Sequence, residues 1–183
     1  MEVSADVAIA GEIKNAIRDV PDFPKPGILF KDITPILMDA LLCIRISEYI
    51  ADYGKKRGVE AVLGIESRGF LFGMSAANLM GVPFIPIRKA GKLPYHKVAE
   101  QYDLEYGSAT IEMHSDALQK GKRVMIHDDL LATGGTAEAA AKLVKKFDAI
   151  VDCYSFLVTL DFLNGKDKLQ PYCTSVLSLV NYP

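Results

Sequence analysis

Short, continuous apolar runs alternate with segments of helical period in this chain, and that alternation limits its fold more than any other feature. Ala61-Val62-Leu63-Gly64-Ile65 and Val124-Met125-Ile126 are apolar without a break. Such runs suit strands buried on both faces of a parallel sheet. Phe84-Ile85-Pro86-Ile87 is a third run, whose proline predicts an end or edge position. Residues 150–160 and 173–180 read as two last strands. Between them, the spacing of Leu42, Ile46, Tyr49, Ile50 and Tyr53 predicts a helix over 40–57. Further helices are expected at 70–80, ending at Gly81, and after Thr136, where Ala137, Ala140, Ala141 and Val144 share a face. An earlier helix is expected over 10–20, from Ile13, Ala16, Ile17 and Val20. Residues 21–27 read as an extended connector, because three prolines exclude a helix. Residues 88–102, basic and rich in glycine and proline, read as an exposed loop. Ile111 and Met113 alternate with Thr110 and Glu112, as on a half-exposed strand. The sum is an α/β fold with a mainly parallel sheet, in one domain over 1–183.

Composition removes several function classes. Lysine and arginine number 21 against 23 aspartates and glutamates, a net charge of −2. A near-neutral chain has no bulk attraction for nucleic acid or an acidic membrane, so any anion must be held by local groups. Cys43, Cys153 and Cys173 are odd in number and show no CxxC spacing, which predicts neither a disulfide framework nor a zinc site. His96, His114 and His127 have no partners at ligand spacing. No leader pattern and no run of about 18 apolar residues is visible, so the cytoplasm is the expected compartment.

The chemistry concentrates where the strand at 124–126 runs into Asp128-Asp129-Leu130-Leu131-Ala132-Thr133-Gly134-Gly135-Thr136. In open parallel sheets, ligands bind outside the carboxyl ends of strands. Glycines let backbone N–H groups converge, threonines add hydroxyls, and the helix start favours an anion. Neither GxxxxGK[ST] nor GxGxxG is present. Carboxylates beside an anion cradle make sense if they face sugar hydroxyls or a metal ion, so a ribose 5′-phosphate fits. The same residues also serve as a plain helix start with acidic capping. Ser67-Arg68-Gly69 likewise follows a buried strand, and a guanidinium suits phosphate oxygens. Arg88, Lys89 and Lys92 suit either a closing lid or solvated surface.

The segment from Val124 to Thr136 resembles the phosphoribosyl pyrophosphate signature of the type I phosphoribosyltransferases, in the form used by the family's adenine enzymes. His127 departs from the aliphatic residue usual before the acidic pair. Four more blocks resemble the family in order: Gly27 to Pro35, Gly64 to Gly73, Ile87 to Pro94, and Leu104 to Gly107. The resemblance implies the type I fold, with a base-binding extension over about 1–35 and a flexible loop. It implies transfer of the phosphoribosyl group to N9 of adenine, with Mg²⁺ carried by the substrate and reaching Asp128 and Asp129 through water. It also implies a homodimer.

Residue by residue, the resemblance implies that Asp128, Asp129 and Ala132 to Thr136 hold ribose and 5′-phosphate. Glu66, Ser67, Arg68, Gly69, Arg88, Lys89 and Lys92 would serve pyrophosphate, around an unusual peptide geometry in the 66–69 loop. Leu29, Phe30 and Lys31 would read adenine, chiefly through their backbone. Glu105 would contact N7 and, with Arg68, act in catalysis. By residue type alone, Glu105 is an exposed strand residue and Phe30 a packing residue. Two other functions remain open at this stage: a nucleotide-sensing regulator on the same fold, and transfer to a 6-oxopurine.

Overall fold

The computed structural model describes residues 3–4, 7–103 and 107–183. In chain order the elements are β1 (Val3–Ser4), α1 (Val7–Ala16), β2 (Arg18–Pro21), β3 (Leu29–Asp32), a 3₁₀ turn (Thr34–Met38), α2 (Ala40–Lys56), β4 (Ala61–Ile65), α3 (Gly69–Met80), β5 (Phe84–Lys89), β6 (Lys97–Asp103), β7 (Ser108–His114), β8 (Arg123–Leu131), α4 (Gly135–Lys146), β9 (Ile150–Leu160), two short 3₁₀ turns (Asp161–Leu163, Gly165–Lys168) and β10 (Val176–Tyr182). Eight strands form one sheet in the order β1-β10-β9-β8-β4-β5-β7-β6, while β2 and β3 make a separate hairpin. The sheet is parallel from β1 to β5, and β7 and β6 continue it antiparallel.

Helices cover both faces, which is why the central strands read as unbroken apolar runs. On one face Leu63, Ile65, Val124 and Ile126 pack with Ala140, Leu143 and Val144 of α4. On the other, Met125, Cys153 and Leu157 pack with Ile13 of α1, Ile46 and Ile50 of α2, and Phe72 and Ala76 of α3. From adjacent β4 and β8 the chain departs in opposite directions, to β5 through α3 and to β9 through α4. A crevice at the carboxyl ends of β4 and β8 follows from that divergence.

Several expectations need correction. α1 ends at Ala16, and Val20 lies in β2, paired with Phe30. Residues 22–28 therefore turn a hairpin, closed by the Gly27 N–H donating to Asp22 Oδ1 at 2.8 Å, where an extended connector was expected. β5 is not an edge strand. Pro86 pairs with Gly64, and β7 joins only at Arg88 and Lys89, so the missing N–H falls before the second neighbour begins. Residues 97–103 form β6 on β7, with Val98 and Tyr102 packed on the core. Lys146 Nζ ties this strand to α4, donating to the Ala99 carbonyl at 2.6 Å and pairing with Glu100 at 2.7 Å. The loop is thus limited to about 90–96. β7 is more buried than alternation suggested: Ile111, Glu112 and Met113 are all covered.

Candidate active site

The loop between β8 and α4 closes around a cavity of about 90 Å³ lined by Asp128 and by residues 130–137. Gly134 has φ +78°, in the left-handed region where a side chain is strained. A Cβ there would also collide with the Gly165 carbonyl. Reciprocally, a Cβ on Gly165 would collide with the Ala132 carbonyl and lie 3.0 Å from the Gly134 nitrogen. Two glycines thirty-one positions apart therefore interlock to set the loop. The sequence singled out Gly134 but not Gly165. A lone glycine after Asn164 signals only a turn, and nothing local ties it to residues 132–134.

Asp129 is buried and Asp128 half-buried beside this cavity. The Asp129 N–H donates to Asp128 Oδ1 at 2.9 Å. Burial raises both carboxyls above their ordinary range. The neighbouring Asp129 raises Asp128 further, whereas Arg68 opposes the rise at Asp129. A pair so disposed gains from a cation or hydroxyl donors placed between its oxygens. Gly69 opens α3 directly against it: a Cβ there would lie 2.7 Å from the His127 carbonyl and 3.0 Å from Asp128 Oδ1.

Arg68 links the sugar side to an aromatic face. Its Nε is 3.0 Å from Asp129 Oδ2, and its guanidinium carbon is 5.4 Å from the Phe30 ring centre. Phe30 is itself braced edge-on by Phe23 at 5.1 Å. The peptide between Glu66 and Ser67 is cis. Glu66 turns its carboxylate to the next strand, accepting from Arg88 Nε at 3.2 Å, Arg88 Nη2 at 3.1 Å and the Lys89 N–H at 3.0 Å. Those bonds, the Arg88 contact first, hold Glu66 below its ordinary pKa. Arg88 also donates to the Lys92 carbonyl at 3.2 Å. Buried Glu112 grips the same loop, accepting from Lys97 Nζ at 2.9 Å and the Gly91 N–H at 3.0 Å. Lys97 is the main cause of the lowered pKa of Glu112.

The structure thus brings together Arg68, Gly69, Asp128, Asp129 and the 132–136 loop, with Phe30 reached through Arg68. Glu66 and Arg88 are paired with each other, and Lys89 and Lys92 are exposed. Leu29 is exposed, and the Lys31 side chain turns to Asp19, 2.7 Å away. Glu105 lies outside the described residues. The Asp103 carbonyl lies 3.6 Å from where a Gly135 Cβ would stand. His127 is fully buried against Gly73, not among the residues lining the cavity, and its Nδ1 is 2.6 Å from Ser155 Oγ. Burial lowers its pKa to about 4, so the ring is neutral.

Comparison with known proteins identifies the family of the chain. Residues 33–181 match the phosphoribosyl transferase domain. A relative from Cytophaga hutchinsonii, an adenine phosphoribosyltransferase, is 59% identical over 170 residues, covering 93% of this chain and 94% of its own. The crystal structure of adenine phosphoribosyltransferase from Thermoanaerobacter pseudethanolicus superposes with a TM-score of 0.90 at 48% identity, covering 94% of this chain and 99% of that one. The enzyme from Saccharomyces cerevisiae, complexed with an imino-altritol bisphosphate and adenine, gives a TM-score of 0.86 at 39% identity, covering 93% and 98%. The chain belongs to the phosphoribosyltransferase family.

Proposed function

We propose that this family member is an adenine phosphoribosyltransferase, joining adenine to phosphoribosyl pyrophosphate to give AMP and pyrophosphate. The observation that carries the reading is the row formed by the phosphate cavity, the Asp128–Asp129 pair, Arg68 and the Phe30 face. Phosphate, sugar and base each find suitable chemistry along it, in their order in the product, with Arg68 beside the sugar for the leaving pyrophosphate. The names of the relatives and the block around β3 favour adenine over a 6-oxopurine.

The 132–136 loop takes the 5′-phosphate on backbone N–H groups and threonine hydroxyls at the start of α4. Asp128 and Asp129 hold the ribose hydroxyls. Arg68 leaves Asp129 for the pyrophosphate, joined by the backbone of 66–69 and by Lys89 and Lys92 as the 90–96 loop closes. Arg88, fixed by Glu66, anchors that loop. N9 of adenine attacks C1′, the bond from C1′ to the pyrophosphate oxygen breaks, and Glu105 takes the proton from N7. Holding two reactants in line supplies much of the rate. Among the described residues no three histidines, cysteines or carboxylates gather as a metal site. The aspartate pair nevertheless suits Mg²⁺ bound through water and carried by the substrate, where the ion would offset charge on the leaving group.

The 183 residues act as one domain, with about 1–35 supplying the base-binding extension. The protein works in the cytoplasm as a homodimer. Leu37, Met38, Leu41, Ile44, Leu71 and Met74 are exposed on the 3₁₀ turn, α2 and α3. An apolar face of that kind supports pairing with a second copy. No helix among the described residues is long and apolar enough to cross a membrane.

The reading is tested by incubating the chain with phosphoribosyl pyrophosphate and adenine, with and without Mg²⁺. AMP that forms only with the metal is expected. Binding of phosphoribosyl pyrophosphate with no turnover on any base would favour the regulator.

A further inference from the structure

We propose that Tyr182, at the end of the last strand, is a positioning residue for the base: its ring clamps Lys31 and so fixes the β3 backbone. The inference rests on reading Leu29, Phe30 and Lys31 as the adenine segment. β2 and β3 form a hairpin apart from the main sheet, and residues 21–29 are exposed throughout. A two-stranded hairpin is marginal alone, so its geometry depends on what ties it to the body. Ile33, at its root, is buried.

Further along β3, Lys31 reaches back to the sheet. Its Nζ is 4.2 Å from the centre of the Tyr182 ring and 2.7 Å from Asp19 Oδ1 of the paired strand. Only 11% of its side chain is exposed, so the contact is largely shielded from water. Lys14 of α1 approaches the same ring at 5.5 Å. Tyr182 is in turn fixed by its register with Leu160 of β9. The main sheet is thus connected, through one ring and one ammonium, to the backbone next to Phe30. This places the Lys31 side chain outside the base site and leaves its backbone to read the base edge. Tyr182 touches no substrate and acts through Lys31.

Steady-state kinetics with Tyr182→Ala tests the proposal. KM for adenine should rise roughly 3–10-fold, the scale of one shielded cation–π contact. KM for phosphoribosyl pyrophosphate should stay within about twofold, and Tyr182→Phe, which keeps the ring, should restore the wild-type value. Lys31→Met should match Tyr182→Ala, and the double variant should be no worse than either. An unchanged KM for adenine, an equal rise in both KM values, or additive effects would overturn the clamp. Hydrogen exchange over residues 18–32 gives a readout independent of the base. Faster exchange in Tyr182→Ala than in Tyr182→Phe supports the clamp even if the wild type proves to use another base, and equal exchange refutes it.

Discussion

The proposed phosphate corner and the proposed base side of this site are built from different materials. The corner between β8 and α4 is set by backbone: a left-handed glycine, and a second glycine pressed against it from the turns that follow β9. The base and pyrophosphate side is made of side chains tied to one another, with Arg68 on Asp129 and Phe30, Glu66 on Arg88, Glu112 on Lys97, and Lys31 on Tyr182. A backbone cradle needs no rearrangement to take its anion. Of the side-chain pairs, Arg68 with Asp129 is the one that must exchange its partner for substrate, and the others hold the backbone around it. On the proposed roles, the fold presets the phosphate end of the reaction and leaves the leaving-group end to be assembled on binding.

Breaking each half should separate the parameters. Glu105→Ala should lower kcat by about 10²–10⁴-fold, the usual worth of a general base, while phosphoribosyl pyrophosphate still binds by calorimetry. Normal turnover in that variant would remove Glu105 from the mechanism. Gly165→Ala attacks the other half without touching the motif. The loop must shift, and a displacement near 1 Å costs about 10²-fold, so kcat/KM for phosphoribosyl pyrophosphate should fall that far with the base preference kept. An unaltered kcat/KM would mean that the interlock with Gly134 does not hold the cradle.

Smaller effects sharpen the contrast. Glu112→Gln leaves Lys97 uncompensated and weakens the hold on Gly91. KM for phosphoribosyl pyrophosphate should rise about 3–10-fold, and protease should cut the 90–96 loop sooner. In the wild type the lowered pKa of Glu112 keeps this anchor charged through the ordinary carboxylate range, so it should fail only in stronger acid.

His127 gives the smallest effect, and on stability alone. Its folded-state pKa of about 4 lies below the ordinary 6.5. The unfolded chain therefore takes the proton first, and stability should fall as pH drops from 7 towards 4. Urea midpoints at pH 7 and pH 5 should show a loss of about 1–2 kcal/mol that His127→Leu/Ser155→Ala does not share. Equal losses would place the acid sensitivity elsewhere.

The same contrast explains what the sequence could show. Asp128 to Thr136 was legible because a backbone cradle demands glycines at fixed places, and the runs at 61–65 and 124–126 because burial on both faces leaves no polar position. β6 was not legible: its inward positions include Glu100, whose partner Lys146 lies on α4. The end of α1 was obscured because Ile17 and Val20 continue a helical spacing that the pairing of β2 with β3 overrides. Pro86 was read as an end or edge signal, whereas β5 is interior and its second neighbour pairs only beyond the proline, at Arg88 and Lys89. Gly165, Tyr182 and the Glu112 anchor depend on contacts between distant segments, for which one sequence carries no pattern.

The most direct measurement is a one-pot competition of adenine, hypoxanthine, guanine and xanthine for phosphoribosyl pyrophosphate with Mg²⁺, with the nucleotide products separated and counted. AMP should form almost alone if, as proposed, the β3 backbone reads a 6-amino purine, since a mismatched buried pair costs about 1–3 kcal/mol. IMP, GMP or XMP forming as readily as AMP would contradict the assignment of the base side while leaving the phosphate corner intact.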